Sequence, residues 1–288
     1  MVDVVTLQNG TLGAAVSARG AELQRLHTAS GEELLWDGNP AVWAGRAPLL
    51  FPVVGNVKGD HITVRGQRYP LLRHGFARTS TFDLVDSTPD RCLWRLRAND
   101  ETRSHYPFAF RLDVAYGLDG ARLTMRATVA NEGTEPMPAS FGFHPAFRWP
   151  LVPGVAREDH DVRFERPEPE PIRRLSGGLL GGTEPTPVVG ERLALADGLF
   201  ERDALIFDRL RSRRLTYGPP TGRRLQLDFP AMPQLGIWSK PGAGFVCLEP
   251  WQGYADPSDF DGELAEKPGI VAIPPQSDRV FELSVTLL

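Results

Sequence analysis

The chain has 288 residues, a formal net charge of -4 and a hydrophobic fraction of 41 %. This composition supports a sizeable core, excludes a disordered chain, and gives no electrostatic attraction to nucleic acid or to an anionic membrane. Two distant cysteines, Cys92 and Cys247, exclude a disulfide scaffold and fit a reducing compartment. The sequence shows neither a signal-peptide pattern nor an apolar run of roughly 20 residues, so we expect a cytoplasmic protein without a membrane partner.

Short alternating runs separated by turn residues predict β-strands along the chain. The first two runs, VVTLQ and TLGAAVS, are joined at Asn9-Gly10, a strong hairpin signal. HITVRGQRYPL predicts a second hairpin that turns at Gly66-Gln67, and residues 111–129 predict a third that turns at Asp119-Gly120. Further strands are predicted for RRLQLDF, FVCLEPW and VFELSVTLL.

No segment keeps a helical period for three turns without a glycine or proline. Many short strands with closely spaced turns therefore predict an all-β protein, a large antiparallel β-sandwich or barrel. Residues 163–190 are rich in Pro, Gly and Glu and form either a long excursion or a domain linker. Because strand patterning resumes afterwards without a change in composition, we expect a single domain over residues 1–288.

Titratable residues stand among aromatics, glycines and prolines in three stretches: RHGFAR with His74, FGFHPAFRWP with His144, and CLEPWQGYADP with Glu249. A carboxylate at the end of an apolar strand is costly to bury without a partner, which favours a role for Glu249. For both histidines, packing against neighbouring aromatic residues is an equal alternative. Asp203, in LFERDALIFD, also fits a cap or turn.

Other kinds of site find less support. His74, His144 and Glu249 lie 70 and 105 residues apart, without the local ligand pairs that zinc sites usually have. The sequence has no G-x-S-x-G, dinucleotide or P-loop motif. His105 and His160 stand in polar surroundings and are expected at the surface.

Two imidazoles, carboxylates and many aromatics on a β scaffold suit a sugar. Aromatic faces pack on the C–H faces of sugar rings, while histidine, carboxylate and arginine groups bind hydroxyls. A carboxylate and an imidazole together can take a proton from one oxygen and give one to another. Opening and closing a cyclic hemiacetal requires this chemistry, although the residues alone do not establish the reaction.

Five blocks resemble those of the aldose 1-epimerases (mutarotases), in the branch typified by bacterial LacX-like proteins. In chain order they are APLLFPVVGNVKGD, YPLLRHGFAR, SFGFHPAFRWPL, FERDALIF, and CLEPWQGYADP with the downstream EKPGIVAIPP. The resemblance covers nearly the whole chain and implies a large antiparallel β-sandwich of the galactose mutarotase type (a supersandwich). It also implies a carbohydrate isomerase without cofactor or metal that acts on an aldohexose. We expect a monomer or weak homodimer.

Site roles follow from the resemblance. Glu249, in LEPW, matches the general base that takes the proton from the anomeric hydroxyl, and His144, in GFHPAF, matches the general acid that protonates the ring oxygen. His74, in HGFAR, matches a supporting histidine that binds the sugar. Asp203 and Arg46 match substrate-binding positions, and Arg78 is either a hydroxyl or phosphate contact or a salt-bridge residue.

The implied mechanism has Glu249 ionised and His144 protonated together. We expect their proximity to favour that ion pair, with Glu249 setting the acidic limb of a bell-shaped pH profile and His144 the basic one. Two alternatives stay open, a non-catalytic sugar-binding module of the same fold and a hexose-6-phosphate 1-epimerase. Asn56 follows the Gly of FPVVG where related chains often carry a basic residue, a departure that bears on phosphate recognition.

Overall fold

The structure is a computed structural model that describes residues 2–288; Met1, where the expected domain begins, lies outside them. Strand makes up 46 % of the structure and helix 8 %, which confirms the all-β prediction. No helix within residues 2–288 is long and apolar enough to cross a bilayer.

Short strands follow one another along nearly the whole chain. The first strands are β1 (Val4–Gln8), β2 (Leu12–Ser17), β3 (Leu23–Thr28), β4 (Leu49–Leu50), β5 (His61–Val64), β6 (Gln67–Pro70), β7 (Asp83–Ser87) and β8 (Arg91–Arg97). The middle strands are β9 (Phe110–Asp119), β10 (Arg122–Asn131), β11 (Met137–Ala139), β12 (Phe141–Phe143), β13 (Ala146–Arg148), β14 (Asp161–Phe164), β15 (Ile172–Ser176) and β16 (Leu179–Glu184). The last strands are β17 (Arg192–Ala194), β18 (Leu205–Phe207), β19 (Arg214–Gly218), β20 (Leu225–Asp228), β21 (Gln234–Trp238), β22 (Phe245–Gln252), β23 (Val271–Ile273) and β24 (Asp278–Leu287). The helices described in residues 2–288 are α1 (Asp100–His105) and the 3-10 turns Lys58–Asp60, Ala77–Thr79, Arg157–Asp159, Asp197–Phe200 and Leu264–Glu266.

Two large antiparallel sheets form the sandwich. One has the strand order β17-β14-β19-β20-β24-β10-β9-β8-β7, and the other β16-β15-β18-β21-β22-β12-β4, with β13 also paired to β22. Aromatic pairs join the sheets: the rings of Phe141 and Phe281 stack 5.2 Å apart, and those of Phe164 and Phe207 lie 5.4 Å apart. The smaller sheets are β1-β2-β3, β5-β6 and β11-β23. This packing confirms the predicted sandwich.

Hairpins form where the turn signals predicted them. β1 and β2 flank Asn9-Gly10, and β9 and β10 flank Asp119-Gly120. The β5–β6 turn lies at Arg65-Gly66, one residue before the predicted position. Both residues have positive φ, 53° and 73°, which the two central positions of a type I′ turn require.

The Pro- and Gly-rich excursion is not a bare linker. Within residues 163–190 it contributes the β15–β16 hairpin, which joins the edge of the eight-stranded sheet through β18. The chain therefore continues the eight-stranded sheet through this stretch. The short helix α1 was not predicted, because its six residues are too few to show a period and its stability comes from the capping box between Asn99 and Thr102.

His160 corrects a sequence-based expectation. Its side chain is fully buried rather than at the surface. Nε2 accepts a hydrogen bond from the Leu151 N–H at 3.0 Å, and Nδ1 lies 3.0 Å from the Ala156 carbonyl oxygen. The polar sequence neighbours belong to the 3-10 turn before β14, whereas the imidazole itself ties that turn to the preceding loop.

Candidate active site

Strand β22 divides its side chains between two faces of the eight-stranded sheet. Val246 and Leu248 belong to the core between the sheets, while Cys247, Glu249 and Trp251 lie on the other face. This follows from the period of two along a strand. Glu249 therefore stands in the middle of the strand, not at its end as the sequence suggested, and is only 2 % exposed.

His144 lies across from Glu249 because two short strands share one partner. β12 pairs Gly142 with Trp251, and β13 pairs Ala146 with Cys247. His144 occupies the interruption between these strands, and the common register brings it opposite Glu249. Its Nε2 lies 3.1 Å from Glu249 Oε2. Antiparallel pairing thus brings together two residues that are 105 positions apart in sequence.

His74 is held by a strained turn. Its φ is 67°, in the left-handed region that few residues other than glycine adopt. The next residue, Gly75, also has a φ of 67°, and a Cβ there would lie 2.2 Å from the Phe51 carbonyl oxygen. The Phe76 ring packs edge-on against Phe51 at 6.0 Å. The turn is thus pressed against the segment after β4.

Two N–H donors face the ring nitrogens of His74. The Gly55 N–H points at Nδ1 and the Arg73 Nε–H at Nε2, each at 3.0 Å. Because a neutral imidazole has one acceptor nitrogen, it accepts only one of these hydrogen bonds at a time. Burial, helped by the charge of Arg73, holds the pKa of His74 well below 6.5 and keeps the ring neutral. Arg73 also lines the cavity.

These groups line one cavity of about 370 Å³. Five of the predicted site residues meet there, namely His74, Arg78, His144, Asp203 and Glu249. The full lining is Trp43, Pro48, Val54, Gly55, Arg73, His74, Arg78, His144, Leu175, Asp203, Ala204, Ile206, Trp238, Lys240, Glu249, Trp251 and Ala255. The volume falls in the range of small-molecule sites.

Arg46 is not among the residues that line this cavity. Its guanidinium donates to the Gln24 carbonyl oxygen at 2.9 Å, and its backbone N–H donates to Glu22. Arg46 thus fastens the segment before β4 to β3 and its preceding turn.

Asp203 faces the cavity from a second strained turn. Its φ is also 67°, its Oδ1 accepts the Ala204 N–H at 2.8 Å, and Arg174 binds its carbonyl oxygen at 2.9 Å. Such strain persists only where surrounding contacts hold it, and it often marks functional positions.

Aromatic walls were missed in the sequence. Trp43 stacks on the His144 ring at 5.2 Å and 28°, and Trp238 meets that ring edge-on at 6.0 Å. The Trp36 indole N–H fixes Trp43 through its carbonyl oxygen at 2.8 Å. A Cβ at Gly45 would lie 2.5 Å from the Trp43 ring. The Trp and Gly two residues apart in AVWAG were the available signal.

Burial dominates the protonation of the central pair. It lowers the pKa of His144 from 6.5 to about 3. It raises the pKa of Glu249 well above 4.5, an effect that Arg73 opposes and Asp203 adds to. Burial therefore favours a neutral imidazole beside a protonated carboxyl group. The expected ion pair therefore carries the cost of burying both charges.

Several polar atoms of the wall have no hydrogen-bond partner within residues 2–288. They are His144 Nδ1, Arg78 Nε and Trp251 Nε1, all buried. An unpaired buried polar group costs roughly 1–3 kcal/mol. Three of the seven such side-chain atoms in residues 2–288 belong to this cavity, where a bound ligand would be able to pair with them.

The pair also lies in a group that could hold a metal ion. Donor atoms of His144, Cys247 and Glu249 lie within 4.8 Å of one another, and nitrogen, sulfur and carboxylate oxygen are all ligands of zinc. However, burial raises the pKa of the Cys247 thiol well above 9.0, so its proton competes with a metal ion. A metal there would occupy the atoms that otherwise exchange protons.

Comparisons with known proteins agree over the whole chain. The family model described as aldose 1-epimerase matches residues 3–265. The plasmid protein LacX of Lactococcus lactis subsp. lactis is 32 % identical over 296 residues, which cover 99 % of each chain.

Solved structures are similar in fold and in sequence. The galactose mutarotase related enzyme of Lactobacillus acidophilus superposes with a TM-score of 0.91 at 32 % identity, covering 99 % of this chain and 97 % of that one. A galactose mutarotase-like protein of Lactobacillus casei has the same TM-score at 30 % identity, covering 99 % and 100 %. These matches confirm the sandwich of the galactose mutarotase type.

The close approach of Gly75 to Phe51 can be tested by the stability of a protein that carries alanine at position 75. Gly75→Ala adds a Cβ against the Phe51 carbonyl oxygen, whereas Gly66→Ala has nothing within 4 Å and a similar φ of 73°. In both variants, holding alanine in the left-handed conformation lowers the free energy of unfolding by about 1–2 kcal/mol. We expect Gly75→Ala to lose roughly 1–3 kcal/mol more from overpacking, measured as the free energy of unfolding in urea. Equal losses would show that the contact carries no energy.

The buried carboxyl group predicts a pH-dependent gain in stability for Glu249→Gln. Because the folded pKa is raised, stability is lost as pH rises from about 4.5 through the folded pKa. Glutamine removes that loss, so the variant is more stable than wild type by about 1 kcal/mol or more at alkaline pH, and the gain vanishes in acid. Thermal unfolding at several pH values measures it.

Glu168 supplies the matched control for this stability test. Its buried carboxylate accepts the N–H groups of Arg211 and Ser212 at 3.0 and 2.7 Å. Glu168→Gln replaces one acceptor by a donor and is expected to lower stability. If Glu249→Gln and Glu168→Gln change the stability at alkaline pH in the same direction, the prediction for Glu249 is wrong.

Proposed function

The chain belongs to the aldose 1-epimerase family, and we propose that it interconverts the α and β anomers of an aldohexose by acid/base ring opening and closure. The observation that carries this proposal is the His144–Glu249 pair, 3.1 Å apart on the wall of a cavity of about 370 Å³. A proton acceptor and a proton donor at this spacing can serve two oxygens on the same anomeric carbon.

The reaction moves one proton in each direction. Glu249 takes the proton of the O1 hydroxyl while His144 gives a proton to the ring oxygen O5. The C1–O5 bond breaks, its electron pair stays on O5, and C1 becomes an aldehyde. Rotation about C1–C2 presents the other face of the aldehyde. Reclosure with both protons returned to their donors gives the opposite anomer.

Burial favours the protonation state that His144 and Glu249 have in the middle of this cycle. Ring opening leaves a protonated Glu249 and a neutral His144, the form that burial favours. The charged form that starts the cycle is the costly one. Arg73 lowers the pKa of Glu249, and the Trp43 face stabilises an imidazolium by a cation–π contact. The 3.1 Å separation lets the proton cross between the two groups.

The remaining walls suit a hydroxyl-rich ring. His74 and Asp203 offer an imidazole and a carboxylate as hydrogen-bonding groups for sugar hydroxyls. The Trp43, Trp238 and Trp251 side chains provide flat apolar surfaces. Backbone contacts hold the His74 and Asp203 side chains, so both are aligned before the sugar binds.

Catalysis is tested by polarimetry on freshly dissolved α-glucose and α-galactose. Glu249→Gln and His144→Asn each remove one proton carrier, so we expect kcat to fall on the order of 10²-fold or more. Glu168→Gln, a buried glutamate away from the cavity, leaves the rate unchanged. A folded Glu249→Gln protein with the wild-type rate would rule out this mechanism and leave sugar binding without catalysis.

The pH profile of kcat/KM distinguishes a neutral resting pair from an ion pair. The active form holds one proton on the pair. We expect the acidic limb well below pH 6.5, because burial lowers the pKa of His144 to about 3, and a basic limb well above pH 4.5, where Glu249 loses its proton. His144 thus sets the acidic limb and Glu249 the basic limb, the reverse of the assignment expected from the sequence. Because the two groups interact, the apparent pKa values belong to the pair and not to either residue. A decline centred near pH 6.5 towards acid, in protein still folded by circular dichroism, would contradict this.

We also propose a phosphorylated hexose as a second candidate substrate, supported by the arginines. Arg78 Nε is buried without a partner in residues 2–288, and burial together with repulsion from Arg73 lowers the pKa of Arg78. A bound phosphate would accept a hydrogen bond from Arg78 Nε and would offset the repulsion between the Arg78 and Arg73 guanidinium groups.

Glucose 6-phosphate and glucose, compared with wild type and Arg78→Gln, test this candidate. If phosphate is recognised, wild type has the higher kcat/KM for glucose 6-phosphate. Arg78→Gln then lowers that value at least 10-fold more than the value for glucose, since a charge-assisted contact contributes about 1.5–3 kcal/mol. Equal effects on both sugars would reject phosphate recognition.

A further inference from the structure

A buried ion pair joins Lys267 and Asp256 behind the wall of the cavity. Lys267 Nζ donates to Asp256 Oδ1 at 2.6 Å, and the two side chains are 1 % and 6 % exposed. The same Nζ donates to the Tyr254 carbonyl oxygen at 2.6 Å. Neither residue of the pair is among those that line the cavity around His144 and Glu249. The cost of burying two charges can exceed their attraction, so a gain in stability alone does not account for the pair.

Asp256 binds residues 55–58 at two points. Its Oδ2 accepts the Lys58 N–H at 2.9 Å, and its own N–H donates to the Asn56 carbonyl oxygen at 2.9 Å. The preceding residue adds a close contact, since a Cβ on Gly55 would lie 2.6 Å from the Ala255 Cα. These contacts hold residues 55–58 in one position against the chain that follows β22.

The same segment holds His74 through Gly55. The Gly55 N–H points at His74 Nδ1 at 3.0 Å, and the Gly55 carbonyl oxygen accepts the His74 N–H at 2.9 Å. The donor on the other side of the ring belongs to Arg73, which is an exposed residue. Gly55 therefore provides the contact that the fold itself fixes, and its position depends on the contacts of Asp256.

We propose that Lys267 and Asp256 are positioning residues for His74. The ion pair fixes the Asp256 side chain, and through it the backbone of residues 55–56 that holds the imidazole at the cavity wall. The effect on rate rests on the proposed function, which takes His74 as a group that binds the sugar. Misplacing such a group by about 1 Å can lower a rate on the order of 10²-fold.

A double-mutant cycle on the mutarotation of glucose, followed by polarimetry, tests the coupling between Asp256 and His74. We expect Asp256→Asn and His74→Ala each to lower kcat/KM roughly 10-fold or more. The protein with both changes is expected to be no slower than His74→Ala alone, because the segment then has no imidazole to position. If the two losses multiply instead, Asp256 acts independently of His74 and the proposal is wrong.

Asp161 supplies the matched control for the loss of a buried ion pair. Its side chain is 1 % exposed, it is paired with Arg224 at 2.7 Å, and it is not among the cavity residues. Asp161→Asn is expected to lower the free energy of unfolding in urea, as Asp256→Asn does, with kcat/KM at the wild-type level. Equal losses of rate in the two variants would show a general effect of stability and would overturn the proposal.

The combined change of Lys267→Met and Asp256→Asn replaces the single variant if that one does not fold. It leaves neither member of the pair as an unpaired buried charge, which is the costly state. We expect the combined change to lower kcat/KM in the presence of His74 and not in the His74→Ala background. A loss of the same size in both backgrounds would again reject the positioning role.

The ring nitrogens of His74 give a readout that needs no substrate. We expect their chemical shifts, measured by NMR, to change in Asp256→Asn and to stay at the wild-type values in Asp161→Asn. If wild type does not catalyse mutarotation, the proposed function fails, while changed shifts in Asp256→Asn still support the positioning role. If glucose is a substrate but Asp256→Asn leaves the shifts or kcat/KM unchanged, the positioning role is wrong and the proposed function stands.

Discussion

The register of β22 against β12 and β13 is the constraint on which the site depends. Both short strands pair with β22 in one antiparallel register, and the break between them holds His144 opposite Glu249. A slip by one residue would turn Glu249 into the core and Leu248 into the cavity, because neighbouring side chains point to opposite faces. The Leu248 N–H, bonded to the Pro145 carbonyl oxygen at 3.2 Å, ties the strands together across the break. The sandwich thus sets the geometry of the His144–Glu249 pair through backbone pairing, with the side chains needing little freedom of their own.

Burial changes the protonation of the His144–Glu249 pair and makes the site costly in stability. A carboxyl group and an imidazole that are both almost wholly enclosed avoid charge, so burial raises the pKa of Glu249 and lowers the pKa of His144. The strained turns at His74 and Asp203, together with the unpaired polar atoms of the cavity wall, add to that cost. The large core between the two sheets supports all of these features, which is why they can gather on the outer face of one sheet.

Much of this architecture could be predicted from the sequence, and the remainder has physical reasons. Turn signals at Asn9-Gly10 and Asp119-Gly120 located hairpins, because left-handed turn residues determine local structure directly. His144 and Glu249 stood out by their neighbours, yet their separation could not be known, since it is set by strand register over 105 residues. Arg46 was expected at the cavity but binds a backbone carbonyl instead. The direction of a long side chain depends on which partners the fold brings near, and a local pattern does not encode that.

Three of the six tryptophans of the chain, Trp43, Trp238 and Trp251, line the cavity around His144 and Glu249, and Trp43 lies flat against His144. Indole emission depends on the polarity and the proton-donating groups around the ring. Half of the tryptophans of this protein therefore stand in the cavity that we propose as the sugar site. The molecule carries its own optical reporter of occupancy, without an added label and independent of whether any bond is broken.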